Sequence, residues 1–105
     1  MALVIVDAEN VRRSQWPNLS REELVARARA WAEREGHDLL IVFDGDAPED
    51  APDLVPSPHA DDEIVRLATS APRPYWVATS DRELRRRLGD GPDRIVGGGT
   101  LIRQL

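Results

Sequence analysis

Five aspartates stand where this chain could do chemistry. Asp7 closes the run "ALVIVD", Asp44 closes "LLIVFD", Asp81 closes "YWVATSD", and Asp61 and Asp62 open "ADDEIVRLATS". Carboxylates gathered at one place repel one another, and a semi-buried cluster without partners is costly. A cation relieves that repulsion. Oxygen-only donors suit hard divalent ions such as Mg2+ or Mn2+, which keep several waters and can lower the pKa of one for attack on a phosphodiester. Zinc fits poorly, because the chain has no cysteine and only two histidines. Acids in the first turn of a helix also complement its dipole, so Asp61, Asp62, Glu63 and Asp81 have a structural reading as well. That reading leaves unexplained why Asp7 and Asp44 end apolar runs, and why Asn10 follows Asp7 by three residues.

The elements around these residues must bring them together. "ALVIVD", "LLIVFD" (Leu39 to Asp44), "YWVATSD" (Tyr75 to Asp81) and "RIVGGG" from Arg94 are short, nearly continuous apolar runs, the pattern of strands buried on both faces. Between them lie helix signals. "SREELVARARAWAEREG" opens with a capping box, Ser20 and Glu23, carries Leu24, Ala28 and Trp31 on one stripe, and closes at Gly36. "ADDEIVRLATS" turns Ile64, Leu67 and Ala68 to a core. "SDRELRRRLG" repeats the capping box with Ser80 and Glu83, and "TLIRQL" starts a last short helix. The proline-rich stretch from Asp44 to Ala60 is expected to be a flexible loop. Alternation of strands and helices predicts an α/β fold: three α/β/α layers around a mainly parallel sheet of about four strands. Right-handed crossovers then set every strand's C-terminal end on one edge, where such sheets bind ligands, so Asp7, Asp44 and Asp81 should converge.

The totals bound the possibilities. One domain, residues 1–105, is expected from 105 residues of ordinary globular composition. A net charge of −5 argues against a generic nucleic-acid-coating protein but leaves room for a local basic patch. All 14 basic residues are arginine, which fits a GC-rich coding bias or, through the guanidinium fork, phosphate recognition. "MALVIVDAEN" shows no leader and no spanning segment, so a cytoplasmic protein without membrane association is expected, and a homodimer stays open as its assembly state.

"VDAENVRRSQWPNL", followed in order by "VFDG", "ADDEI" and "ATSDREL", resembles the NYN branch of the PIN-like nucleases, bacterial YacP-type proteins among them. The match extends to "VGGGTLIRQL" and so spans nearly the whole chain. It implies a PIN-like, Rossmannoid domain that cleaves RNA with Mg2+ or Mn2+ held by Asp7, Asp44, Asp61 and Asp81, with Asp62 as a possible substitute ligand. Asn10 then matches the polar companion of Asp7, and Thr79 and Ser80 match hydroxyls that orient Asp81 or contact phosphate. Many relatives carry "DGYN" where this chain has "DAEN", so Ala8 and Glu9 are departures.

Other residues support or rival that reading. Arg12, Arg13 and the cluster Arg82, Arg85, Arg86 and Arg87 could guide an RNA backbone to an acidic pocket, or form solvated faces. Trp16 could stack on an unpaired base, though packing through Pro17 is the favoured expectation, and Trp31 and Trp76 read as core. His59 reads as exposed and His37 as a helix-end contact. "VFDGDAP" is similar to the acidic loop of aspartyl-phosphate phosphatases, but Ala47 and Pro48 rather than a hydroxyl residue directly follow Asp46, and no lysine exists downstream. A catalytically silent PIN-like module that binds RNA or a partner is the remaining alternative.

Overall fold

The computed structural model describes all residues, Met1–Leu105. Its strands are β1 (Leu3–Asp7), β2 (Asp38–Asp44), β3 (Leu54–Ser57), β4 (Tyr75–Ala78) and β5 (Arg94–Val96). The helices are α1 (Ala8–Arg12), α2 (Arg21–Glu35), α3 (Ala60–Thr69), α4 (Arg82–Leu88) and α5 (Gly98–Ile102). The sheet has five strands, one more than the apolar runs suggest, in the order β3-β2-β1-β4-β5, with every pairing parallel.

The unforeseen strand is β3, "LVPS", inside the stretch expected to be a loop. Pro56 hides it in the sequence, since proline donates no ladder bond. At a sheet edge that loss is tolerated, and β3 is an edge strand whose Pro56 pairs with Phe43. Arg29 braces the segment leading into it: its guanidinium donates to both Asp53 oxygens at 2.8 and 2.9 Å and to Glu49 at 3.0 Å.

Helices cover both faces. Val4, Val6, Ile41 and Phe43 pack with Val11, Leu24, Ala28, Trp31 and Leu101 on the side of α1, α2 and α5. Ile5, Val42 and Val77 pack with Ile64 and Leu84 on the side of α3 and α4. The strand period of two follows from this: Asp7 lies two residues past Ile5, and Asp44 two past Val42, so both belong to the α3/α4 side. Asp7 is level with Val42, which places Asp44 about 7 Å further along the strand direction.

Caps fix where helices start and stop. Ser20 accepts from the Glu23 N–H at 3.0 Å, and α2 ends at Gly36, whose φ of 74° is the left-handed conformation that favours glycine. The cap of α4 is Asp81, not Ser80 as the capping-box pattern suggests: its Oδ1 accepts from Leu84 N–H at 2.9 Å. The Ser80 hydroxyl instead accepts from Gly98 N–H at 2.7 Å, tying the β4–α4 turn to α5. His37 makes the expected helix-end contact through its backbone, its N–H donating to the Ala32 carbonyl at 2.8 Å. Its ring accepts from Ala2 N–H at 3.1 Å between Trp31 and Trp76. Trp31 is core and Trp76 is half-buried, but Trp16 is 89% exposed, so the expected packing through Pro17 does not occur. No helix is long and apolar enough to cross a membrane.

Candidate active site

The strand order reverses direction at β1: β2 and β3 extend on one side, and the chain then crosses to place β4 and β5 on the other. A crevice at the C-terminal ends of β1 and β4 is therefore built into the topology. A cavity of about 630 Å3 opens there, lined by Asp7, Asp44, Asp61, Asp62 and Asp81 together with Glu9, Asn10, Arg13, Ser14, His59, Ala60 and Arg87. The five aspartates singled out in the sequence thus face one space. Asp46 lines separate recesses with Gly45, Ala47 and Pro56, so no Asp-x-Asp pair points into the cavity.

Four parts of the fold fix these carboxylates. Asp7 is buried at the end of β1, and Thr79 Oγ1 donates to its Oδ2 at 2.9 Å. The same hydroxyl accepts from the Asp81 backbone N–H at 3.1 Å, so one buried threonine links the Asp7 carboxyl to the turn that carries Asp81. Asn10 accepts from Ser80 N–H at 2.8 Å through Oδ1 and holds the turn from the other side. Asp61 enters from the first turn of α3, and Asp44 from the exposed end of β2.

Charge is unevenly compensated. Arg87 donates to Asp62 at 2.9 Å, whereas Asp7, Asp44, Asp61 and Asp81 have no basic partner. Burial, opposed by the Thr79 bond and reinforced by the charges of Asp61 and Asp81, raises the Asp7 pKa from 3.8 to about 6. Burial likewise raises Asp61, with Asp81, Asp44 and Asp62 adding repulsion against the relief from Arg87. Asp7 and Asp61 therefore both feel neighbouring carboxylates.

The donor set, carboxylate oxygens with no thiol, fits a hard divalent cation. No three Asp, Glu or His side chains form a ready-made coordination group. A hydrated ion does not require one, since Mg2+ is ordinarily held through one or two carboxylates and keeps its waters.

The other residues expected at the site divide into two groups. Thr79 is fully buried and Ser80 bonds Gly98, so both position the site without lining it. Arg12 faces Glu9 at 2.8 Å and the Leu19 carbonyl at 3.2 Å, and Arg82 is exposed outside the cavity. The arginines on the cavity wall are Arg13 and Arg87. Glu9, whose role the sequence leaves open, gathers Arg12, Arg13 and Arg21 within 3.5 Å. Its i+3 and i+4 spacing to Arg12 and Arg13 is the one sequence signal for that cluster.

No family model and no curated protein matches the chain. Among solved structures it is similar to a mutant of Rae1 (YacP) from Bacillus subtilis, with a TM-score of 0.79 and 21% identity, over 97% of this chain and 72% of that one. A likeness at this identity establishes the fold: a YacP-like three-layer α/β/α domain built on a parallel sheet.

Proposed function

We propose that the chain is a metal-dependent ribonuclease of the NYN branch of the PIN-like nucleases. One observation carries the reading: four aspartates without salt-bridge partners, from the ends of β1 and β2, the first turn of α3 and the N-cap of α4, face one cavity at the switch point of a parallel sheet. The likeness to the Rae1 (YacP) fold and the ordered motifs of the sequence support it.

Asp7, Asp61 and Asp81, whose charges act on one another, would hold Mg2+ or Mn2+, with Asp44 at the outer end and Asp62 engaged by Arg87. The chemistry supplied by a bound ion is polarisation of the phosphate and a lowered pKa for the attacking water. The chain's own residues do the rest. Thr79 ties the Asp7 carboxyl to the backbone N–H of Asp81, whose own carboxyl is held by Leu84 N–H. Asn10 locks the turn that carries Asp81. Arg13 and Arg87 offer guanidinium donors to the phosphate backbone, which an acidic pocket would otherwise repel. In-line attack by water on phosphorus breaks the bond to the leaving oxygen, giving a 5′-phosphate and a 3′-hydroxyl.

The test is cleavage of a labelled single-stranded RNA with Mn2+, with Mg2+ and with chelator, comparing Asp7→Asn and Asp81→Asn. Asparagine still caps a helix, so Asp81→Asn removes the charge while keeping the start of α4. Loss of cleavage in both variants and with chelator is the expected outcome. RNA that binds but is never cut by the native protein would favour the silent binding module.

A further inference from the structure

The α1–α2 connection carries a large apolar side chain that nothing covers. Trp16 is 89% exposed, and the only other large hydrophobic residue so exposed is Met1. Its loop is nonetheless fastened. Leu19 N–H donates to the Arg12 carbonyl at 3.1 Å, Arg12 returns a bond to the Leu19 carbonyl at 3.2 Å, and Ser14 Oγ donates to the Asn10 carbonyl at 2.7 Å. Leu19 itself is buried, so the loop is pinned on both sides of the exposed indole.

The surroundings say what such a ring would meet. Arg13 and Ser14, just before Trp16, line the acidic cavity. Arg12, Arg13 and Arg21 share the single carboxylate of Glu9, which leaves the base of the loop positive beside a strongly negative pocket. Arginine matches phosphate oxygens, and an exposed indole matches the face of any base. Together they form the combination with which proteins hold unpaired nucleic acid. Trp31 is buried and Trp76 is packed against His37 and Arg94, so neither can serve.

We propose that Trp16 is a stacking platform for one unpaired base of a single-stranded RNA whose adjacent phosphate is held by Arg13 at the rim of the cavity. The inference rests on the ribonuclease reading and narrows it. A duplex keeps its bases stacked and offers none to Trp16, so single strands or loops are preferred over helices.

The experiment measures anisotropy of a labelled short single-stranded RNA in Mg2+ with the Asp7→Asn protein, compared with Asp7→Asn/Trp16→Ala and Asp7→Asn/Trp16→Phe. Trp16→Ala is expected to weaken binding roughly tenfold, in line with the loss of one base stack, while Trp16→Phe retains most of the affinity. An RNA with an abasic position at the contact should show the same loss with Trp16 present and no further loss without it. Since Trp16 packs against nothing, melting temperatures stay equal, which separates stacking from a structural role. Equal affinity of the tryptophan and alanine proteins overturns the platform while leaving the ribonuclease reading standing. No RNA binding by any of the three, with no cleavage by the native chain, removes both. Unchanged RNA affinity with a Trp16-dependent change of oligomeric state would make the loop a protein contact and also overturn the proposal.

Discussion

Asp7 carries its charge against both burial and neighbouring carboxylates, and that conflict is measurable. Its carboxyl titrates near 3.8 when the chain is unfolded and at about 6 in the fold. The folded state therefore holds its proton more tightly, and stability from this group is fully present below 3.8 and lost as pH rises through about 6. The difference amounts to about 3 kcal/mol as an upper figure. In chelator, Asp7→Asn should be more stable than the native chain at neutral pH and lose that advantage near the unfolded value. Asparagine can still accept the Thr79 bond, so the comparison isolates the charge. Parallel melting curves across this range would refute it. A second residue test concerns Thr79. Thr79→Val keeps the volume but frees Asp7 and Asp81 from their shared hydroxyl, so cleavage should fall by about 10- to 100-fold, the scale of losing a partner that orients a ligand. The aspartates were legible in the sequence because a strand ending on an acid sends that acid to the sheet edge. The Glu9 cluster was only partly legible, since Arg21 lies twelve positions away and meets it only through the fold. Exposure of Trp16 was the less favoured of the two readings its loop allows, stacking on a base or packing through Pro17.

Elements were legible where local chemistry decides them and obscure where partners do. The box at Ser20 and Glu23 needs only its own turn, and α2 begins and ends where that pattern says. At "TSD" two residues compete for the same role, and the winner is set elsewhere: Gly98 N–H engages the Ser80 hydroxyl, leaving Asp81 to cap α4. β3 was obscured by Pro56, which only an edge position admits. The approach of α5 to α1 yields the prediction at this scale. A Cβ on Gly98 would collide with Ser14 Oγ and stand 2.9 Å from Asn10 Oδ1. Gly98→Ala should therefore push α5 away from α1 and loosen the Asn10–Ser80 turn, destabilising the protein by about 1–3 kcal/mol. Gly99→Ala, whose nearest such neighbour is the end of the Arg103 side chain at 3.6 Å, is the matched control and should melt much closer to the native chain. Equal effects of the two substitutions would show that helix propensity, not the close approach, governs this corner.

For the whole molecule, the sequence indicated a shared edge but not which strands adjoin, because apolar runs carry no record of their neighbours. Strand order supplies the missing step: β1 is central, so Asp7 stands between contributions from both halves of the sheet. The resulting field is lopsided, since a chain of net charge −5 concentrates five aspartates in one cavity and pairs just one of them with an arginine in a salt bridge. Folding must hold that repulsion in check, and a divalent cation bound only by the folded state would add stability by mass action. At a concentration about a hundredfold above its dissociation constant, the gain is about 2.7 kcal/mol. For a domain of this size that corresponds to a rise in Tm on the order of 10 °C. Mn2+ or Mg2+ should produce such a rise in the native chain, chelator should reverse it, and Asp61→Asn should shrink it. Asp46→Asn, outside the cavity, should leave it intact. General screening of a negative chain would act differently: monovalent salt at equal ionic strength would give the same rise, and all the variants would respond alike. That pattern would reduce the acidic cavity to an electrostatic burden and take the metal-centred reading with it.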